Sequence, residues 1–333
     1  MNGSLIINLG TPDDPGIPAV RRYLRQFLSD PDVMDISPLL RFFLLNLIIL
    51  PFRSPTSAHA YRKIWDKRGS PLRYHTESLA EKLRPLLGHP IEWAMRYGNP
   101  AVRPALESLR TQGVTRLTLL PLYPQFAQSS VTSTLSHVEQ ELSKMEWHPK
   151  IRVIPPFYRD KGFIAAAAEK IRPLMASDKH LLMSFHGIPE RHILRSSPVC
   201  KDCLATPSCE TLLHPLCYRG QCYETARSLA KELGLKGEGY SVSFQSRLGR
   251  TPWIRPYTDL EFEPLVTRGI KKLVVACPSF VADCLETLEE IGMRGKESFL
   301  AAGGKSLELA PCPNDSDAWV NAMLQLLKSQ TPA

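Results

Sequence analysis

The sequence predicts an α/β protein of two similar lobes, each a mostly parallel sheet flanked by helices, the first over 1–160 and the second over 161–333. Three observations carry this expectation. Short apolar runs alternate with longer amphipathic stretches, the pattern of strands joined by helical crossovers. At roughly 150 residues per domain, 333 residues suggest two. Finally, LIINLGTP resembles LLMSFHGIP and GVTRLTLLPLYPQF resembles GIKKLVVACPSFVAD, each pair half a chain apart, as a duplicated fold would leave.

In chain order, SLIINLG (4–10), RLTLLPLYP (116–124), IRVIPP (151–156), HLLMSFHG (180–187) and KLVVACP (272–278) are apolar runs of buried-strand length. Helical patterns fall between and after them: ESLAEKLRPLL (77–87), GFIAAAAEKIRPLM (162–175), ETARSLAKELG (224–234) and DAWVNAMLQLLK (317–328). The lobes divide near 157–178, and the final helix is placed to cross back onto the first lobe. Ligands on such sheets bind at the carboxyl ends of the strands.

SPLLRFFLLNLIILPFRSP (37–55) departs from this grammar, being strongly apolar, broken only by Arg41 and Asn46 and bounded by proline. At about 12 apolar residues it is too short to span a bilayer. It suits either a buried helix or an interfacial lip that touches membrane or a large apolar ligand.

With 43% hydrophobic residues the chain can build a packed core, which excludes disorder, collagen and coiled coil. The excess of 41 Lys+Arg over 33 Asp+Glu gives a net charge of +8, suited to an anionic membrane face or an acidic small molecule. No basic run exceeds two residues, so nucleic acid is not an expected partner. Met1 leads straight into SLIINL without a basic segment and cleavage site, so a cytoplasmic protein is expected.

His186 directly follows a buried strand and precedes Gly187, which puts an imidazole at a strand's carboxyl end, able to accept a proton or ligate Fe(II). In ADCLETLEEIG, helical spacing sets Asp283, Glu286 and Glu290 on one face, with Glu289 beside them. Such a line either passes protons or guides a hydrated cation. Cys200, Cys203, Cys209 and Cys217 cluster with Cys222 close behind, a set that satisfies either Zn(II) or an iron–sulfur centre. Cys222 is able to replace one ligand, Cys217 first of all. No dinucleotide fingerprint, phosphate-binding loop or nucleophile elbow is present in its usual sequence form.

Taken in order, NLGTP (8–12), VRRYLRQFLSDPDVMD (20–35), AYRKIW and GSPL (60–72), MRYGNP (95–100), LYPQF (122–126), SFHGIP (184–189), FQSRLGRTPWIRPYTD (244–259) and FVADCLETLEEI (280–291) resemble the ferrochelatases over nearly the whole chain. That resemblance implies a chelatase-like fold of two Rossmann-like lobes with four-stranded sheets. It also implies insertion of Fe(II) into protoporphyrin IX with loss of two pyrrole protons, a lyase reaction of haem biosynthesis. Coproporphyrin, another metal, or a non-catalytic porphyrin carrier are the alternatives.

Laid residue by residue, the resemblance makes His186 and Glu286 the facing pair at the metal and proton site, with Glu290 next in line. It makes Leu9, Arg53, Ser70, Arg96, Tyr97, Tyr123 and Trp253 porphyrin-binding, and 38–51 a lip in peripheral contact with the inner membrane. The insertion 197–222 resembles that of bacterial members holding a [2Fe-2S] cluster, here on Cys200, Cys203, Cys209 and Cys217, with Zn(II) as the alternative. Where many members have Asp-His, this chain has Asp283-Cys284, and Cys284 is not taken as catalytic. Monomer and homodimer both stay open.

Overall fold

The computed structural model describes residues 1–197, 204, 206, 209, 211, 214–249 and 251–329. They form two compact units: Met1–Tyr123 with Gln128–Pro156 and the chain from Met323 on, and Pro124–Ala127 with Phe157–Ala322.

The first unit holds strands β1 (Asn2–Thr11), β2 (Ile91–Gly98), β3 (Arg116–Pro121) and β4 (Lys150–Val153), all parallel in the order β2-β1-β3-β4. Helices α1 (Ile17–Leu28), α2 (Pro38–Phe43), α3 (Leu50–Ile64), α4 (Pro71–Leu87), α5 (Val102–Thr111) and α6 (Ser133–Lys144) connect them. Leu5, Ile6 and Ile7 of β1 are all fully buried, because helices cover both faces of a parallel sheet and leave no polar alternation. Leu106, Leu109, Leu117, Leu119 and Val138 pack the core on one face.

The second unit repeats the arrangement with β5 (His180–His186), β6 (Tyr240–Gln245), β7 (Lys272–Ala276) and β8 (Ser306–Leu309), parallel in the order β6-β5-β7-β8. Its helices are α7 (Lys161–Ile171), α8 (Glu190–Ser196), α9 (Tyr218–Glu232), α10 (Thr258–Thr267), α11 (Lys296–Ala301) and the start of α12 (Asp317–Lys328). The echoed segments of the sequence hold matching places: β1 and β5 are the central first strands, and β3 and β7 lie beside them. From Met323 onward α12 counts with the first unit, where the Arg152 guanidinium donates to the carbonyls of Leu326, Leu327 and Ser329 and so caps the helix end.

The segment from Pro38 to Ile64 is one helical run with a π-helical turn at Leu44–Ile49, which corrects the expectation that it is too short to span. By length and composition alone its 27 residues could cross a membrane. Leu45 and Leu50 are buried, whereas Leu39, Leu40, Phe42, Phe43, Leu47, Ile48 and Phe52 stand exposed. A core helix would bury that stripe, so the buried-helix reading does not match these exposures.

Candidate active site

His186 is the last residue of β5, held in register with Gln245 of β6. Its ring Nδ1 lies 2.6 Å from the Gly187 carbonyl, which can only accept, so Nδ1 donates there and Nε2 is the ring nitrogen left for chemistry. Gly187 has no alternative at this turn: a Cβ there would stand 2.8 Å from the Gln245 carbonyl and 3.3 Å from the Trp253 ring. Trp253 thus packs directly on the histidine turn, its indole N–H donating to Leu248 O at 2.8 Å.

The acidic segment is a π-helix from Glu286 to Gly295. Its wider turn closes bonds five residues back, so residues four to five apart stack, which suits Glu286 and Glu290 and leaves Asp283 out. This corrects the helical-spacing expectation: Asp283 precedes the helix and is buried, its carboxylate accepting from the Cys312 amide, Thr287 Oγ1 and Asn314 Nδ2. It anchors the helix start. Glu289 turns away to pair with Arg294 at 2.9 Å.

Two residues that pattern reading did not single out hold the pair together. Gln245 accepts the Gly187 amide on its own carbonyl at 2.8 Å and donates Nε2 to the Glu286 carbonyl at 2.8 Å, so one residue ties the histidine turn to the acidic helix. Ser246 donates its amide to one oxygen of Glu290 at 2.8 Å and its hydroxyl to the other at 2.6 Å. Its φ of 65° lies in the left-handed region, strained for a residue with a side chain. Both belong to FQSR, legible only as part of a family block.

Burial pushes the Glu290 carboxyl above the ordinary range, and the Glu286 charge adds to it; Ser246, His186 and Arg294 oppose the shift. Glu290 opens on a cleft of about 200 Å³ lined also by Ser246, Arg247, Thr258, Asp259 and Arg294. The buried Cys284 thiol is held well above its usual value by burial and the Glu286 charge, so it stays a neutral thiol.

In the first unit Leu9, Ser70, Arg96, Tyr97 and Tyr123 gather at the carboxyl ends of β1, β2 and β3, and Arg53 lies on α3. Leu9 is half-buried before Gly10, whose φ is 120° and where a Cβ would meet the Tyr97 carbonyl at 1.8 Å. Ser70, buried at the start of α4, accepts from Thr11 Oγ1 at 2.8 Å. Arg96 and Tyr97 turn their polar groups inward: both bond Asp30, and both reach Ser133. Tyr123 bonds Thr134 at 3.1 Å, and burial pushes its phenol up to about 12. Arg53 differs from all of these, because one guanidinium nitrogen, Nη1, is buried without a hydrogen-bond partner.

Among the cysteines, Cys200 and Cys203 lie outside the described residues. Cys209, Cys217 and Cys222 are buried. Cys209 Sγ accepts from the buried Arg219 guanidinium at 2.9 Å, and Cys217 Sγ caps α9 by accepting the Gly220 amide at 3.3 Å. A buried guanidinium calls for an anionic partner, and those donors suit thiolate sulfur that ligates a metal. Among the described residues no three His, Cys, Asp or Glu side chains are arranged to hold an ion.

Comparison with known proteins agrees along the whole chain. The family described as ferrochelatase matches residues 1–331. A ferrochelatase of Legionella pneumophila (strain Lens) is 46% identical over 332 residues, covering 98% of this chain and 99% of the relative. One of Pseudomonas aeruginosa (strain LESB58) is 48% identical over 331 residues, covering 98% and 97%. Among solved structures, SirB from Bacillus subtilis with Fe3+ matches with a TM-score of 0.59 at 11% identity, over 98% of this chain and 94% of that one. CbiX, the terminal enzyme of sirohaem biosynthesis in denitrifying bacteria, matches with a TM-score of 0.52 at 13% identity, over 99% of both. At such identities the two structures speak for the fold alone.

Proposed function

The chain belongs to the ferrochelatase family and inserts iron into a porphyrin in haem biosynthesis, and on that premise we propose which of its residues do the chemistry. Insertion must remove two pyrrole protons while the metal approaches the ring nitrogens. His186, whose Nδ1 donates to the Gly187 carbonyl, accepts the first proton on Nε2 as Fe(II) enters. Glu286 takes up the proton or the incoming cation, and Glu290 relays protons to the cleft beyond it. The observation that carries this reading is Gln245, which fixes the His186 turn and Glu286 against each other. A rigid holder also serves ring distortion, since a flat macrocycle keeps its lone pairs in plane and binding energy elsewhere must bend it.

Arg53 takes a porphyrin propionate, because its buried, unpartnered nitrogen is an unmet donor that a carboxylate satisfies in bidentate fashion. Leu9, Ser70, Tyr123 and Trp253 contribute wall and contact, while Arg96 and Tyr97 support it through Asp30 and Ser133. The exposed apolar stripe of the 38–51 lip favours protoporphyrin over the more carboxylated coproporphyrin and rests against the membrane surface. Anaerobic assays that follow the porphyrin spectrum test this: His186→Ala should bind porphyrin but form no product, and protoporphyrin should outpace coproporphyrin. Full activity in the variant removes His186 from the mechanism, and flotation with anionic vesicles that survives Phe42→Ser/Phe43→Ser removes the lip from the membrane.

For the cysteine-rich segment we propose a [2Fe-2S] cluster held by Cys209 and Cys217 together with Cys200 and Cys203, supported by the amide and guanidinium donors already aimed at two of the sulfurs. When bound, such a group supplies one-electron redox chemistry. A brown protein bleached by dithionite, and colourless as Cys203→Ser, is expected. One equivalent of zinc in a colourless protein would overturn it.

A further inference from the structure

The backbone of His186 is enclosed by a ring of hydrogen bonds that the reaction does not use directly. Tyr218 Oη donates to the His186 carbonyl at 2.7 Å. The His186 amide donates to Ser279 Oγ at 3.2 Å, and Ser279 Oγ lies 3.0 Å from Tyr218 Oη. Since the phenol has one proton and gives it to the carbonyl, the serine hydroxyl must donate to the phenol. The three bonds then run as one chain from the His186 amide through the serine and the phenol to the His186 carbonyl, in which each hydroxyl donates once and accepts once and each bond polarises the next. Tyr218 is buried, whereas Ser279 and His186 are half-buried.

The same tyrosine is built into the cysteine turn. It is the first residue of α9, immediately after Cys217, whose sulfur caps the helix by accepting the Gly220 amide. Cys222 stands one helical turn further on, close enough to the phenol to interact with it. A change in the cap at Cys217 therefore moves the first turn of α9, and with it the donor to the His186 carbonyl. Because His186 ends its strand, that carbonyl and amide set where the imidazole points.

We propose that Tyr218 is a positioning residue for His186 and makes the catalytic histidine responsive to the state of the cysteine turn. The inference rests on the reading of His186 given above, and its test separates the two. Hydrogen exchange at the His186 amide is measured on the full-length protein alongside kcat and porphyrin KM. Tyr218→Phe, which preserves the ring's volume, should speed that exchange about tenfold and lower kcat about tenfold, with KM within about twofold. Ser279→Ala breaks the same chain from the other side and should reproduce both effects. Cys217→Ala should speed exchange severalfold in the parent chain and add nothing in Tyr218→Phe.

Unchanged exchange and kcat in both Tyr218→Phe and Ser279→Ala would overturn the positioning role. A Cys217→Ala effect of equal size with and without the phenol would overturn the link to the cysteine turn. Full turnover in His186→Ala would instead sink the underlying reading, while the exchange data would still decide whether the ring holds that backbone.

Discussion

Replacing Ser246 by alanine should expose how Glu290 works. Serine here occupies a left-handed conformation that glycine adopts freely and that costs another residue about 1 kcal/mol. Its hydroxyl is the compensation, since it donates to one Glu290 oxygen while the amide holds the other. A hydrogen bond to a charged group is worth about 1.5–3 kcal/mol, so alanine forfeits about 2 kcal/mol of support for the carboxylate, an upper bound of about thirtyfold in rate. Part of that support persists through the amide, and about a tenfold fall in kcat is expected. The sign of the pH effect follows from the same bond. Burial already raises the Glu290 pKa and Ser246 restrains the rise, so removing the hydroxyl raises it further. Activity should fail at a higher pH on acidification, and the variant should approach the parent as pH rises. Ser246→Gly should share the catalytic defect while relieving the backbone strain, which separates the two contributions. In anaerobic assays Ser246→Ala/Glu290→Gln should be no slower than Glu290→Gln alone. Additive losses, or an acid limb that stays in place, would refute a role exercised through Glu290.

Three further outcomes are expected. Asp30→Ala leaves the Arg96 guanidinium buried without its carboxylate and should cost about 3–5 kcal/mol at pH 7, read from urea midpoints. Burial alone would raise the Asp30 pKa, but Ser133, Tyr97, the Asp32 amide and Arg96 hold it below the ordinary range. Its stabilisation is therefore full above about pH 4 and is lost as pH falls through the depressed value, so the gap between parent and variant should narrow only in strong acid. Arg53→Leu, which removes the unmatched donor, should raise porphyrin KM about tenfold or more, leave kcat within a few fold and spare thermal stability; unchanged KM would exclude a propionate contact. Gly10→Ala would drive a methyl into the Tyr97 carbonyl, and a soluble variant melting within a few degrees of the parent would contradict the close approach of β1 and β2.

What the sequence revealed, and what it hid, follows from the range over which each signal acts. β1, β3, β5 and β7 were legible because strands covered on both faces have no polar alternation, and their repetition half a chain apart announced two like sheets. β2, β6 and β8 escaped because IEWAMRYG, YSVSFQ and SLEL carry polar residues that a strand beside or at the edge of a sheet tolerates. His186, Glu286 and Glu290 were visible as chemistry, but the turn that stacks the two acids was not. An α-helical period placed Asp283 on their line, whereas a π-helix leaves it outside as an anchor. The helpers were least legible of all. Gln245 reaches the histidine turn through a strand register spanning 59 positions (245 − 186 = 59), and Ser279 reaches it over 93. Neither amide nor hydroxyl carries a periodic or compositional mark, since their value lies in one neighbour each. Catalytic side chains are conspicuous because they are chemically unusual, whereas the groups that aim them are ordinary residues made specific by topology. That is why a residue such as Tyr218, unremarked beside five cysteines, acquires meaning only when its hydroxyl is seen against the carbonyl of His186.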